Sequence, residues 1–396
     1  MFEVTDGCNL KCKYCAYGEF YGDYDKREEK MLPVEKATRL IDYLSDFWNS
    51  DKNKSSQRPL TVSFYGGEPL INMPFIKNIV NHVLNKVNCP RLDFKFGMTT
   101  NAVLLDRYMD YLKAHDFHLL VSLDGNEENT GYRVDKSGKS AYDRIVSNVD
   151  ALKEKYPEYF DKHVSFNAVL HNKNSVESIY RFFKNKYDKT PRIGELNNVG
   201  IRRDKLEDFK KTYKNARESL QQSEHYEKIE QDMFMLTSSY KSVAQLLHHT
   251  SGYVFTDYTD LLFDKSNQKP LPTGTCLPFD KKMYVTVNGK ILPCERIGHQ
   301  FALGEITDTD IIIDAEAIAD KFNAYYTKLE NQCSKCKIDK LCIQCIFNIE
   351  NLETEKPTCH GFMNEKRFAE YYNSQMHFLE KHPEAYEKIM KEVIVV

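Results

Sequence analysis

The sequence predicts an α/β chain with a cysteine-rich segment toward its C-terminus, and three observations predict it. Over the first 200 residues, short apolar runs alternate with amphipathic helical stretches, the pattern of a parallel sheet with crossover helices. Cys8, Cys12 and Cys15 share one short loop directly after the first apolar run. Seven of the eleven cysteines then fall between Cys276 and Cys359.

Taken in order, strands are predicted over Phe2–Thr5, Leu60–Tyr65, Leu92–Met98, Phe117–Leu123, Val164–Leu170 and Arg192–Val199, with helices between them. The clearest helix carries Ile76, Ile79, Val80, Val83, Leu84 and Val87, the i, i+3, i+4 stripe of a core-facing face. Pro33 and Pro74 sit where helices should begin, since proline suits the first helical turn. Residues 49–58 are polar and read as a surface loop. From Ile201 to His249 the chain is polar and helical. Its cluster Arg202, Arg203, Lys205, Lys210, Lys211 and Lys214 could hold an acidic peptide, but interleaved acidic residues favour a solvated helix face. Phe362–Val396 reads as one or two amphipathic helices. The expected division is 1–200, 201–273, 274–361 and 362–396, with no internal repeat.

Composition bounds the function. A net charge of −3 gives no general attraction to nucleic acid or to an anionic membrane surface. No stretch approaches the ~20 apolar residues of a membrane span, and no secretory leader pattern is present. An odd cysteine count argues against a complete disulfide framework. Cytosolic metal binding is the natural reading of so many cysteines, with Cys89 left over as a buried thiol. A cytoplasmic protein is expected.

Four motifs carry chemistry. Cys8, Cys12 and Cys15 stand at CxxxCxxC spacing. A cubane [4Fe–4S] cluster usually takes four thiolates, so three on one loop leave one iron open to a small molecule. Zinc would want a fourth ligand, and three cysteines cannot all pair. Tyr65-Gly66-Gly67-Glu68-Pro69 ends the second strand. Its glycines permit close backbone approach, and Glu68 can accept from an ammonium group; an ordinary turn is the alternative. Thr99-Thr100-Asn101 ends the third strand and Ser122-Leu123-Asp124-Gly125 the fourth, polar groups that also suit loop capping. Finally, Cys276-x12-Gly289-x4-Cys294 precedes Cys333-x2-Cys336-x5-Cys342-x2-Cys345 and Cys359. Taken alone, the CxxC pairs also fit a zinc ribbon.

Together these motifs resemble the radical S-adenosylmethionine (SAM) enzymes, whose signature loop is CxxxCx(aromatic)C, with Tyr14 as the aromatic here. The later cysteines are similar to the SPASM extension of that family's peptide maturases. The resemblance implies a partial (β/α)6 TIM-type barrel with its site at the C-terminal strand ends, followed by a cysteine-rich SPASM domain. It implies a [4Fe–4S] cluster on Cys8, Cys12 and Cys15 that chelates SAM, with Tyr14 near the adenine and Gly66, Gly67 and Glu68 at the methionine amine. It implies Ser122 and Arg133 at the SAM carboxylate and Asn101 at the ribose or adenine. Two auxiliary clusters would follow, a distal one on Cys333, Cys336, Cys342 and Cys359 and a proximal one on Cys276, Cys294 and Cys345. This chain departs from the pattern in three places. The last local spacing is x2 rather than x3, no fourth cysteine lies near Cys276 or Cys294, and Asn167-Ala168-Val169-Leu170 stands where some members carry GxIxGxxE.

The implied activity is reductive cleavage of SAM to a 5′-deoxyadenosyl radical that modifies a ribosomally made precursor peptide. A thioether or carbon–carbon crosslink, or epimerisation, is expected. An anaerobic sulfatase maturase, which generates formylglycine, is the alternative; that family places Asp after the Gx4C cysteine, where this chain has Glu295. A non-catalytic zinc or iron–sulfur module would leave the GGEP and SLDG segments unexplained. Glu295 is the candidate catalytic base, with pairing to Arg296 or another cation as the alternative. Expected partners are the precursor peptide and a one-electron reductant of flavodoxin or ferredoxin type. Met1 stands seven residues before Cys8, so the expectation is either an N-terminally shortened form, or leader recognition by the C-terminal helices or by a separate leader-binding protein.

Overall fold

The computed structural model describes residues 1–50, 53, 59–90, 92–233, 242–244, 246–247, 276–279, 282–339, 342–354 and 356–391. Most of the polar loop expected over 49–58 therefore lies outside the described residues. The chain forms two compact units, Met1–Glu224 with Lys281–Asp314 and His225–Asp280 with Ala315–Val396.

In the first unit, six parallel strands follow one another in chain order: β1 (Phe2–Thr5), β2 (Leu60–Gly66), β3 (Phe94–Thr100), β4 (His118–Ser122), β5 (Val164–Val169) and β6 (Arg192–Gly194). Between them lie α1 (Val34–Asn49), α2 (Met73–Asn85), α3 (Met109–Ala114), α4 (Tyr142–Lys155), α5 (Pro157–His163) and α6 (Val176–Tyr187), followed by α7 (Leu206–Thr212) and α8 (Ala216–Gln221). All four residues of β1 are buried, as a parallel strand covered on both faces requires. Pro33 precedes α1 directly and Pro74 lies in the first turn of α2. Ile76, Ile79, Val80 and Val83 are buried as the stripe predicts, whereas Leu84 is 53% exposed. Leu84 stands ~80° round the helix from Ile76, at the stripe's margin, and α2 ends one residue later. Phe117 stacks on Phe64 and Phe96, with ring centroids 5.8 and 5.5 Å apart, and so fills the space behind β2 and β3. The expected eight-residue sixth strand is only three residues long. Among the described residues it pairs with β5 alone, so no described strand on its far side holds it in the sheet.

Four short strands extend the sheet from the opposite edge. These are β7 (Tyr284–Val285), β8 (Lys290–Leu292), β9 (Gly304–Ile306) and β10 (Ile311–Ile312). β7 pairs parallel to β1, and β7 to β10 run antiparallel to one another, giving the order β10-β9-β8-β7-β1-β2-β3-β4-β5-β6. The free edge of β1 is thus covered by a segment from within the stretch 274–361. Gly289 sits in the β7–β8 turn at φ +86°, and a Cβ there would lie 2.4 Å from the Ile306 carbonyl oxygen. The glycine of the Gx4C motif is therefore a turn residue that places Cys294 after β8.

The second unit contains α9 (Tyr226–Met233), α10 (Ala315–Cys333), α11 (Glu365–Lys381) and α12 (Pro383–Lys391). Phe322 of α10 packs edge-on against Phe347 at 5.7 Å. Val243 and Ala244 pack with Ala385 and Ile389 of α12, and His382 Nε2 lies 2.9 Å from Glu230 Oε2. Of the basic residues expected to face solvent, which belong to the first unit, Arg202 pairs with Asp204 and Lys210 with Glu207, whereas Lys205 is partly buried beside Glu19 and the partly buried Lys214 donates to the Asn174 carbonyl at 2.7 Å. No described helix is long and apolar enough to cross a membrane.

One backbone junction joins the first two strands to the cysteine loop. Gly67 N–H donates to the Thr5 carbonyl at 2.8 Å and Glu68 N–H to the Gly7 carbonyl at 3.0 Å. A Cβ on Gly67 would stand 1.9 Å from the Gly7 oxygen, and one on Gly66, at φ +133°, 2.2 Å from the Thr5 oxygen. Gly67→Ala should therefore destabilise the protein by about 3 kcal/mol or more, the upper end of single-substitution effects. Urea unfolding of the metal-free protein measures it, and a wild-type midpoint would show that the junction yields.

Candidate metal-cluster site

Cys8, Cys12 and Cys15 lie on the loop after β1, each half-buried. The loop is held in place by its own backbone. Lys11 N–H donates to the Val134 carbonyl at 2.7 Å, Lys13 N–H to the Tyr132 carbonyl at 3.3 Å and Cys15 N–H to the Cys12 carbonyl at 3.2 Å. Burial pushes the Cys8 thiol up to about 11 and the Cys12 thiol up to about 12. Without a bound cation these thiols are neutral; a metal would convert them to the thiolates that ligate it. Beside Cys8, Asn101 Nδ2 reaches Asn9 Oδ1 at 2.7 Å and lies 3.7 Å from the sulfur. The buried Asn9 Nδ2 has no partner. A cavity of about 610 Å³, lined in part by Thr5, Gly7, Cys8, Asn9 and Met31, opens at the same place. Its size is that of a small-molecule site. Three thiols on one loop beside a cavity and an unsatisfied amide fit a cluster with one iron open to a ligand.

Glu68 does more for the fold than its motif suggested. It is fully buried, and Oε1 accepts from Leu70 N–H at 3.1 Å and Thr100 Oγ1 at 2.7 Å, while Oε2 accepts from Asn101 N–H at 2.7 Å. Its carboxylate thereby fixes the end of β3 against the end of β2. A carboxylate has about four acceptor positions, and three are taken within the chain.

The SLDG segment places its aspartate at the centre. Asp124, at the end of β4, is fully buried, and it accepts from Arg133 Nε at 3.0 Å and Nη2 at 2.9 Å. It also accepts from Val169 N–H at 2.9 Å and from the Tyr14 hydroxyl. Burial alone would raise this carboxyl, but the Arg133 guanidinium together with His171 and the Tyr14 hydroxyl outweighs it and holds the group below the usual carboxylate range. His171 Nε2 stands 3.8 Å from Asp124 Oδ2. Lys173 N–H donates to His171 Nδ1 at 3.2 Å, and Asn174 Nδ2 stands 3.1 Å from Nε2. Tyr14 stacks on His171 with centroids 5.4 Å apart. Arg133, expected at a SAM carboxylate, thus has its fork engaged by Asp124, and Tyr14 is fixed at both hydroxyl and ring. Ser122 stands two residues before Asp124 on the last position of β4. Asp124 and His171 were missed as site residues. The signal for Asp124 lay in the SLDG segment itself; nothing in the sequence marked His171.

Cys294 and Glu295 follow β8 in the same unit. Glu295 Oε2 lies 2.8 Å from Lys282 Nζ, Oε1 lies 3.9 Å from Arg296 Nε, and the Cys294 thiol donates to Oε2 at 3.4 Å. Burial would raise the Glu295 carboxyl, but Lys282, with smaller contributions from a backbone hydrogen bond and Arg296, more than offsets it and keeps the group below its ordinary value. The cation paired with Glu295 is therefore mainly Lys282 rather than Arg296.

In the second unit, Cys333, Cys336, Cys342 and Cys359 line one small cavity with Asp339. Burial, and then the neighbouring Cys342, Cys359 and Cys336, push the Cys333 thiol up to about 11. Four thiols that repel one another as anions are a donor set that a cationic cluster would hold together. Cys345 is outside that lining, at the N-cap of the turn Ile346–Asn348. Cys276 is exposed and belongs to the second unit, whereas Cys294 belongs to the first. Cys89 is buried and accepts from Asn49 Nδ2 at 3.3 Å.

Comparison with known proteins gives these arrangements a context. Residues 2–184 match the model of the Radical SAM superfamily, and residues 276–337 match that of SPASM, an iron-sulfur cluster-binding domain. A cysteine-type anaerobic sulfatase-maturating enzyme of Clostridium novyi is 28% identical over 187 residues, 46% of this chain and 46% of that protein. The radical SAM cyclopropyl synthase TigE of Paramaledivibacter caminithermalis is 21% identical over 349 residues, 85% of this chain and 64% of that protein. The matched segments thus span less than two thirds of either relative. A solved structure, native anSMEcpe with bound AdoMet and Cp18Cys peptide, superposes with a TM-score of 0.60 at 18% identity, covering 98% of this chain and 97% of that one. The α/β fold is the radical SAM fold, and the two matched domains imply [4Fe–4S] clusters.

The buried carboxyls make the fold sensitive to pH. Burial raises both Glu3 and Glu68 from 4.5 to about 7. These two carboxyls hold more protons in the folded protein than in the unfolded chain between those values, so their contribution to stability falls as pH rises through that window, against the opposite contribution of the buried Met1 ammonium, lowered from 8.0 to about 5. Glu68→Gln removes one of the two falling contributions, so between about pH 5 and about pH 8 its urea midpoint should fall less, or rise more, than that of wild type. An unchanged slope would place the titration elsewhere.

Proposed function

We propose that this chain, a radical SAM enzyme carrying a SPASM domain, modifies a peptide, and that its substrate is a ribosomally made precursor in which it forms a crosslink. The observation that carries this reading is the pairing of two donor sets. Cys8, Cys12 and Cys15 share one loop whose Cys8 lines a ligand-sized cavity, and Cys333, Cys336, Cys342 and Cys359 converge on a small cavity of their own. The first set would hold the cluster that binds SAM, with Asn101 and Ser122 as contacts. Glu68 and Arg133 would support the site from behind, since three of the carboxylate's acceptor positions and the Nε–Nη2 edge of the guanidinium are already engaged. When bound, that cluster and SAM together supply a 5′-deoxyadenosyl radical, and the chain contributes position and exclusion of water. The second set offers an exit for the electron lost when the product is more oxidised than the substrate. Cluster potentials are tunable over roughly −700 to +450 mV, which sets the direction of flow. A reductant of flavodoxin or ferredoxin type would supply the first electron.

Glu295 is the group to take up a substrate proton. Lys282 keeps it ionised, and its low basicity suits a proton made acidic by an adjacent radical or cation. The sulfatase-maturase reading draws support from the relative in Clostridium novyi and from the peptide in the neighbouring structure. Against it, Glu295 stands where that family carries Asp.

Two experiments test the reading. Replacing Cys8, Cys12 and Cys15 by Ala should remove about four irons, one cubane cluster, and abolish release of 5′-deoxyadenosine with dithionite; retained release refutes the cluster assignment. Incubation with precursor peptides encoded beside the gene should give a product lighter by two hydrogens per event. Solvent deuterium at an α-carbon without that loss would indicate epimerisation, and an aldehyde in a sulfatase peptide would indicate formylglycine. Glu295→Gln should keep SAM cleavage but slow product formation by about 10²–10⁴, the range of general-base effects, and full activity would remove it from the mechanism.

A further inference from the structure

Cys12 and Arg133 stand directly opposite each other. Leu10 bridges Asp135 in antiparallel fashion, Lys11 N–H donates to Val134 and Lys13 N–H to Tyr132. This register sets residue 12 against residue 133. The Arg133 side chain is 5% exposed, with its guanidinium carbon 5.4 Å from the Tyr14 ring centroid and its fork on Asp124. Asp124 in turn is anchored on Val169 N–H at the end of β5. The ion pair therefore lies against the cysteine loop, with Arg133 across from Cys12 and Asp124 on the Tyr14 hydroxyl.

We propose that the Asp124–Arg133 pair sets the reduction potential of the cluster held by Cys8, Cys12 and Cys15, Arg133 favouring the reduced cluster and Asp124 opposing it. The proposal rests on the assignment of that cluster to these cysteines. Reduction adds negative charge to the cluster, and a fixed cation nearby stabilises the added charge more than a fixed anion farther away destabilises it. Both members are buried, so water and salt screen them little. Net charge near a cluster is one of the protein's levers on its potential. Asp124 and Arg133 are positioning residues here, acting on the cluster through the residues of its loop. The engaged fork also explains why Arg133 is buried with a carboxylate of this chain.

The test is a redox titration of the reconstituted enzyme followed by electron paramagnetic resonance, read on the part of the signal that responds to SAM. Asp124→Asn removes the opposing charge and should raise the midpoint; Arg133→Gln removes the favouring charge and should lower it. Arg133→Lys keeps the charge and should stay nearer wild type than Arg133→Gln does. Simple loosening of the site would move both neutral variants in one direction, so shifts of the same sign, or no shift, overturn the proposal. Should a single variant fail to fold, Asp124→Asn/Arg133→Gln leaves no unpaired buried charge; its midpoint should fall below wild type, because Arg133 is the member across from Cys12, and a rise or no change overturns the proposal. If wild type shows no SAM-responsive signal, it is the cluster assignment that fails.

Discussion

The site depends on a place where two backbones come closer than any side chain allows. Gly66 and Gly67 let the end of β2 lie against Thr5 and Gly7, and the two resulting hydrogen bonds carry the cysteine loop on the rigid edge of the sheet. Glu68, the next residue, extends the junction to β3 through Thr100 and Asn101. Three successive residues thus align three strand ends, and Asn101 brings the alignment to Cys8 through Asn9. The glycines serve the chain's own packing before they serve any ligand.

The other side of the loop is fixed by charge rather than by close approach. Asp124 gathers Tyr14, Arg133 and the β5 backbone, so the loop, β4 and β5 share one buried carboxylate. A buried ion pair with this many satisfied partners adds uniqueness of arrangement more than net stability, because its desolvation offsets much of its attraction. Removing one member would leave a buried charge uncompensated, which is why the cluster loop and its electrostatic surroundings form a single device.

Much of this was legible in the sequence. The six strands follow from apolar runs with helical stretches between them, and all six formed, although β3 began two residues late and β6 stopped after three residues. The cysteine loop and the glycine pair announced themselves by spacing. What was hidden is what depends on distant partners. Asp124 meets Tyr14 across 110 positions and Val169 across 45, and no local pattern encodes such a meeting. Strands β7 to β10 have two or three residues each, too few for a period of two to register. The pairing of Glu295 with Lys282 rather than mainly with its neighbour Arg296 likewise follows from how the β7–β8 hairpin folds back, not from adjacency.

The pairing of β7 with β1 has a consequence for how the chain is made. Phe2 finds its parallel neighbour Val285 only after some 280 further residues have left the ribosome, roughly 15–60 s at 5–20 residues per second. Until then the first strand has one free edge, although the loop bearing Cys8, Cys12 and Cys15 can already be tethered to the β2 end and to residues 124–135. The nascent protein therefore passes through a long interval in which its three cysteines are already grouped but the sheet beside them is still open. Iron and sulfide delivered during synthesis would meet a more accessible loop than iron and sulfide supplied to the finished fold.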